Sequence, residues 1–351
     1  MKTDQDIGAR RRDPLFDILK AFLMLWVVWG HCHVSGVVAG PLWPDPWMKN
    51  AKIAVDMPLF FVISGFMAAH SKYQDVWKKT FQRLVRLIWP VAAFGLCFGT
   101  CLAFMDGHDF SFPLRFATKQ VLYGHWFIRS LASLYVILAL VVSLCKTIRM
   151  QAFGLLIAWI LLLAGNDNSP ENYHPMIYCG WQIVHMLPYF AFGFLVLPKW
   201  RLHTSILVSI ACGIAFFTFV LVEGNSSRNG MNYWAVTTNW KEICSCRGGF
   251  LFAVRTTIGC TGSVFLLWAM NAILRIAPSA SRLQVFGTTT LGVYILHELP
   301  LYRIGQSGWK LLPLLQWTGL IVAITYFLII HFTIVGIRNV PFLRRFFFGM
   351  S

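Results

Sequence analysis

The chain has 351 residues, 57% of them hydrophobic and only 13% charged, with a mean hydropathy of +0.61. A soluble domain runs nearer ~45–50% apolar and ~25% charged, so soluble folds are excluded and an all-α, polytopic membrane protein is expected. The 30 Lys and Arg against 14 Asp and Glu give a net charge of +16. These charges cluster at alternate ends of apolar runs, which is a topology signal and not a nucleic-acid footprint.

A helix needs about 20 apolar residues to cross ~30 Å of hydrocarbon. About ten transmembrane helices are predicted, over 16–38, 52–70, 84–105, 122–145, 150–165, 181–198, 204–222, 250–273, 284–304 and 314–336. They form one domain, 16–336, between an N-terminal tail (1–15) and a C-terminal tail (337–351). With the N-terminus inside, 18 of the basic residues fall on inner segments and 8 on outer ones. Both termini are therefore predicted to be cytoplasmic. The first run, behind Arg10, Arg11 and Arg12, has the outline of a signal peptide. It is long, however, and carries His31 and His33, so it reads as a retained helix. The nine cysteines lie mostly in apolar runs, as small core residues. None has zinc-ligand spacing, and no metal is expected.

Titratable side chains are costly in hydrocarbon and usually face a bundle interior. The first helix carries Asp17, Lys20, His31 and His33. Asp17 and Lys20 are three apart and can pair. Lys20 and His31 lie on one stripe, ~16 Å apart along the axis. Lys20 also reads as a snorkelling cation, and His31 as a helix–helix hydrogen-bonding group. The second helix begins near Asp56 and reaches Ser64 and Gly65, small residues that permit close packing. The third opens with Arg83 and Arg86 on one face. They suit either lipid headgroups or the phosphates of a ligand, which guanidinium binds as a fork. His125 and Arg129 share a face of the fourth helix. With His31, Asp56, His185, Arg255, His297 and Glu298 they fall in the outer half of the membrane and suggest an outward-opening polar cavity. His331 stands alone and reads as a packing residue.

The run from Asp17 through Lys20 to His31 resembles the opening of the acyltransferase-3 family of integral-membrane O-acyltransferases, an Asp-x-x-Arg/Lys followed after ten residues by a His. Met57-Pro-Leu-Phe-Phe-Val-Ile-Ser-Gly-Phe66 resembles its second-helix motif, and Arg83-Leu-Val-Arg86 its Arg-x-x-Arg pair. Trp126-Phe127 and Leu291-Gly-Val-Tyr-Ile-Leu-His297 resemble its middle and late signatures. The motifs stand in family order, and the opening resembles the fucose-4-O-acetylase-like branch.

That resemblance implies transfer of an acyl group, usually acetyl, from acyl-CoA to a hydroxyl of a carbohydrate or lipid-linked saccharide. The typical acceptors are lipopolysaccharide O-antigen, capsule, exopolysaccharide, Nod factor or enterobacterial common antigen; some members succinylate periplasmic glucans. The resemblance also implies a multi-pass protein of the bacterial inner membrane, with no further periplasmic domain expected. The donor's phosphates would meet Arg83 and Arg86, assisted by Lys20. A pantetheine arm then spans the ~16 Å to His31, the expected general base. Asp17 would orient Lys20. His297 and Glu298 are candidates for acceptor binding or for orienting His31. Tyr173, Trp181, Trp234 and Trp240 are candidates for a sugar-stacking mouth. Both direct transfer and an acyl-His intermediate fit. The competing reading is a secondary transporter, although neither inverted repeats nor paired broken helices are evident.

Overall fold

Helix α1 (Pro14–Val34) starts where its sequence dictates. Asp13 accepts the Leu15 N–H at 3.0 Å, and Pro14 takes the first helical position, where no N–H is needed. We describe here a computed structural model, covering residues 13–35, 37, 46–70, 75–165, 175–200, 205–226, 246–306 and 318–349. The described residues contain helices and turns and no strand.

After α1 come α2 (Pro46–Ala69), α3 (Val76–Asp106) and the short α4 (Phe112–Lys119). A π-helical turn (Gln120–Gly124) leads into α5 (Trp126–Leu144), then α6 (Ile148–Ala164) and α7 (Pro175–Ala191). A second π-helical turn (Phe192–Val196) continues into α8 (Leu197–Trp200), before α9 (Ile206–Ser226) and α10 (Cys246–Ile276). A 3₁₀ segment (Pro278–Leu283) precedes α11 (Gln284–Gly287), α12 (Thr290–Leu296) and α13 (Glu298–Gln306). Helices α14 (Thr318–Asn339) and α15 (Pro341–Phe348) follow.

Among the described residues, six helices are long and apolar enough to cross a bilayer: α1, α2, α3, α5, α10 and α14. Two shorter apolar helices lie at Ile148–Ala164 and Ile206–Leu221. This is a multi-pass membrane protein. The apolar windows of α1 and α2 are each 72% buried, against 28% for α14, so α1 and α2 form the centre and α14 the flank. Outward-facing Phe104, Leu144, Leu207 and Ile276 supply apolar surface suited to lipid.

Helices α1 and α2 run antiparallel. Phe16 meets Phe66 at one end, ring centroids 5.1 Å apart, and Gly30 meets Lys52 at the other. Helix α2 packs on the end of α7 and the second π-helical turn through two glycines. A Cβ on Gly65 would collide with the Phe190 carbonyl, and one on Gly193 with the Val62 carbonyl.

Three elements differ from expectation. Helix α2 begins at Pro46, six residues before the predicted start at 52, which places Lys52 well inside the helix. The segment 284–304, predicted as one helix, is α11, α12 and α13, interrupted at Thr288–Thr289 and again at His297. Pro300 lacks the N–H that would bond the Leu296 carbonyl, which accounts for the second interruption. The expected C-terminal tail is folded: α14 runs to Asn339, and α15 packs on α3, with the Trp89 indole donating to the Phe346 carbonyl at 2.7 Å.

Candidate functional site

At the far end of α1 from Lys20, His31 meets His297 edge to face, ring centroids 4.7 Å apart. His297 sits at the break after α12 and is 1% exposed. Its Nδ1 lies 2.8 Å from the Tyr294 carbonyl and 3.2 Å from that of Val293. A carbonyl only accepts, so Nδ1 carries the proton. Nε2 then carries the lone pair; it is buried without a hydrogen-bond partner. The Tyr326 hydroxyl donates to the His297 carbonyl at 3.1 Å and ties the break to α14. The arrangement is a fixed acceptor nitrogen beside a second imidazole.

Tyr294 extends the cluster. Its ring centroid lies 5.7 Å from His297 and 5.5 Å from His125. His125 does not sit on the face of a continuous helix, as expected. It caps α5 with φ −84°, ψ 81°, and its Nδ1 is buried and unpaired. Arg129 bonds the Leu122 and Tyr123 carbonyls of the π-helical turn. Both line a cavity of about 450 Å³ walled by Ile88, Val91 and Ile128. Lys52 and Asp56 form a buried ion pair near His31, 2.5 Å between Nζ and Oδ2.

A second group lies toward the opposite ends of α1 and α5. Asp17 and Lys20 pair at 2.5 Å, as their spacing predicts. Asp17 is held tightly, because its carbonyl lies where Gly287 of α11 would carry a Cβ. The Arg83 guanidinium sits over the Tyr135 ring, 4.9 Å from the centroid, a cation–π contact. The Ser64 hydroxyl donates to the Phe60 carbonyl at 2.8 Å and adjoins Tyr135. Arg86, three residues on, is exposed.

The structure thus brings together His31 with His297, Asp17 with Lys20, and Arg83 with Ser64 through Tyr135. Other expected site residues make contacts of their own, and Glu298 directly follows His297. Glu298 opens α13 and is exposed. His185 packs against Phe252, ring centroids 5.4 Å apart, and the Arg255 carbonyl accepts the Tyr189 hydroxyl at 3.2 Å. His331 is not isolated: its Nδ1 lies 2.7 Å from the Thr289 hydroxyl. Tyr173, Trp234 and Trp240, and the side chains of His33 and Trp181, lie outside the described residues. Among the described residues no group of three His, Cys, Asp or Glu is gathered as a metal would need. Lys52 and Tyr135 were missed by sequence reasoning. The Lys52–Asp56 spacing of four, within reach on a helix, was the available signal for the first.

A family profile described as an acyltransferase domain, Acyl_transf_3, matches residues 14–333. The chain belongs to the acyltransferase-3 family. The match in this acyltransferase-3 protein runs across both histidines and both basic groups. The nodulation protein NolL of Sinorhizobium fredii (strain NBRC 101917 / NGR234) is 29% identical over 159 residues. The alignment covers 44% of this chain and 41% of NolL, so the chain spans less than half of that relative. No solved structure matches the chain.

Proposed function

We propose that this acyltransferase-3 protein moves an acetyl or other short acyl group from acyl-CoA to a hydroxyl of a cell-envelope or secreted saccharide. The observation that carries this reading is the His31–His297 pair, one helix length from the Asp17–Lys20 pair, with Arg83 over Tyr135 as a separate basic group. Along α5, His125 and Tyr135 are ~15 Å apart in helical rise. Along α1 the separation of Lys20 and His31 is ~16 Å. A pantetheine arm covers that distance, so phosphates at Arg83, Arg86 and Lys20 are compatible with a thioester at His31.

In this reading neutral His31 takes the acceptor hydroxyl's proton as its oxygen attacks the thioester carbonyl, and His297 orients it. Asp17 orients Lys20, and Ser64 with Tyr135 steadies Arg83. A positioned general base contributes ~10²–10⁴ in rate. The membrane is taken to be the bacterial inner membrane, with about ten crossings, and both termini are placed in the cytoplasm, as the distribution of Lys and Arg favours.

The test is CoA-thiol release from acetyl-CoA by purified protein in detergent with a panel of saccharide acceptors, together with acetyl-CoA binding. Wild type should release thiol, and His31→Ala should lose that release ~10²-fold or more. Arg83→Ala/Arg86→Ala should raise the acetyl-CoA KM. A wild type that neither binds acetyl-CoA nor releases thiol overturns the reading and favours the transporter.

A further inference from the structure

One charged pair has no part in the reaction described above. Lys52 and Asp56 stand one turn apart on α2, 2.5 Å between Nζ and Oδ2, with side chains only 14% and 6% exposed. Asp56 is fixed from behind, its Oδ1 accepting the Met57 N–H at 2.7 Å. Lys52 leans across to α1. A Cβ on Gly30 would come within 3.2 Å of its Cε and 3.3 Å of its Nζ. The next residue is His31, and the Lys52 charge acts on its ring.

Stability does not account for this pair. Taking two charges out of water is costly, and replacing a buried ion pair with well-packed apolar side chains is often neutral or stabilising. Its position does account for it. When a hydroxyl attacks a thioester, negative charge develops on the carbonyl oxygen. A preorganised donor in a dry site stabilises that charge far more than water does. An ammonium has three N–H groups, and Asp56 occupies one. The absence of a side chain at Gly30 brings the other two to the level of His31.

We propose that Lys52 is a catalytic residue that donates an N–H to the thioester carbonyl oxygen as it becomes an oxyanion, while Asp56 holds the ammonium against Gly30. The inference rests on the acyl-transfer reading. The acceptor's O–H proton passes to His31, an O–C bond forms at the carbonyl carbon, and the carbonyl π electrons move onto oxygen beside Lys52. The oxyanion then re-forms the carbonyl and breaks the C–S bond. The CoA thiolate leaves with that electron pair and takes the proton from His31.

The test removes the charges without stranding one of them. Lys52→Met/Asp56→Leu replaces the pair with apolar groups, and Lys52→Gln/Asp56→Asn keeps a hydrogen bond without charge; either suffices if it purifies as a folded protein. In CoA-thiol release, kcat should fall ~10²–10³-fold, with acetyl-CoA KM within about twofold of wild type. Lys52→Arg, which keeps a cation beside Asp56, should exceed Lys52→Met/Asp56→Leu in kcat by about tenfold. A folded double variant within about threefold of wild-type kcat overturns the inference and leaves the acyl-transfer reading intact. A wild type that neither binds acetyl-CoA nor releases thiol overturns both.

Discussion

His297 shows how a single side chain becomes chemically specialised. A free imidazole interconverts two tautomers; here two backbone carbonyls hold the proton on Nδ1, and Nε2 is left as a buried acceptor. His297→Ala removes the ring against which His31 is oriented. Its kcat for CoA-thiol release should fall ~10²-fold, with the acetyl-CoA KM unchanged. A fall in both affinity and folded yield would instead mark His297 as a packing residue. The sequence carried His31 well, because Lys20 and His31 stand at a recognisable spacing within an apolar run. It carried Lys52 poorly. The residues ahead of the apolar run, Pro46-Trp-Met-Lys-Asn, look like a loop by composition. They form the first turns of α2, which starts at Pro46, and so place Lys52 one turn before Asp56.

The contact of α2 with the end of α7 and the π-helical turn Phe192–Val196 is built from reciprocal absences. Gly65 admits the Phe190 carbonyl, and Gly193 admits the Val62 carbonyl. No shift of a flexible side chain relieves a clash with backbone. Gly193→Ala should therefore destabilise the protein by about 1–3 kcal/mol or more, read as a lowered Tm in detergent; an unchanged Tm would show that the two segments separate freely. Gly65 was legible as a close-packing residue beside Ser64. Its partner was not, because nothing in Phe192-Gly-Phe-Leu-Val announces a π-helical turn. The break before α13 was legible in principle. Pro300 removes an N–H four residues after Leu296, yet the apolar run passes through it unbroken, and hydropathy counts side chains without asking where backbone carbonyls find donors. Helix existence was thus easier to read than helix continuity, and the imidazole pair depends on the second.

At the scale of the whole molecule, the apolar runs gave the class of fold directly, because a chain with so few charges has no other solvent to face. The pairing of those runs was not legible, since lipid-facing and protein-facing helices are almost equally apolar. What the assembled bundle adds is separation. Arg83 and Lys20 lie toward one end, and the two imidazoles toward the other. If a long donor bridges them, its phosphates never leave the side on which they bind, and only an uncharged acyl group traverses the interior. Turnover then moves no net charge through the membrane field. Moving a single charge across 100 mV is worth ~2.3 kcal/mol, so a carrier of ions or charged sugars would speed up or stall when a potential is imposed. This protein, reconstituted in vesicles and held at a potassium diffusion potential of either sign, should release CoA at the same rate.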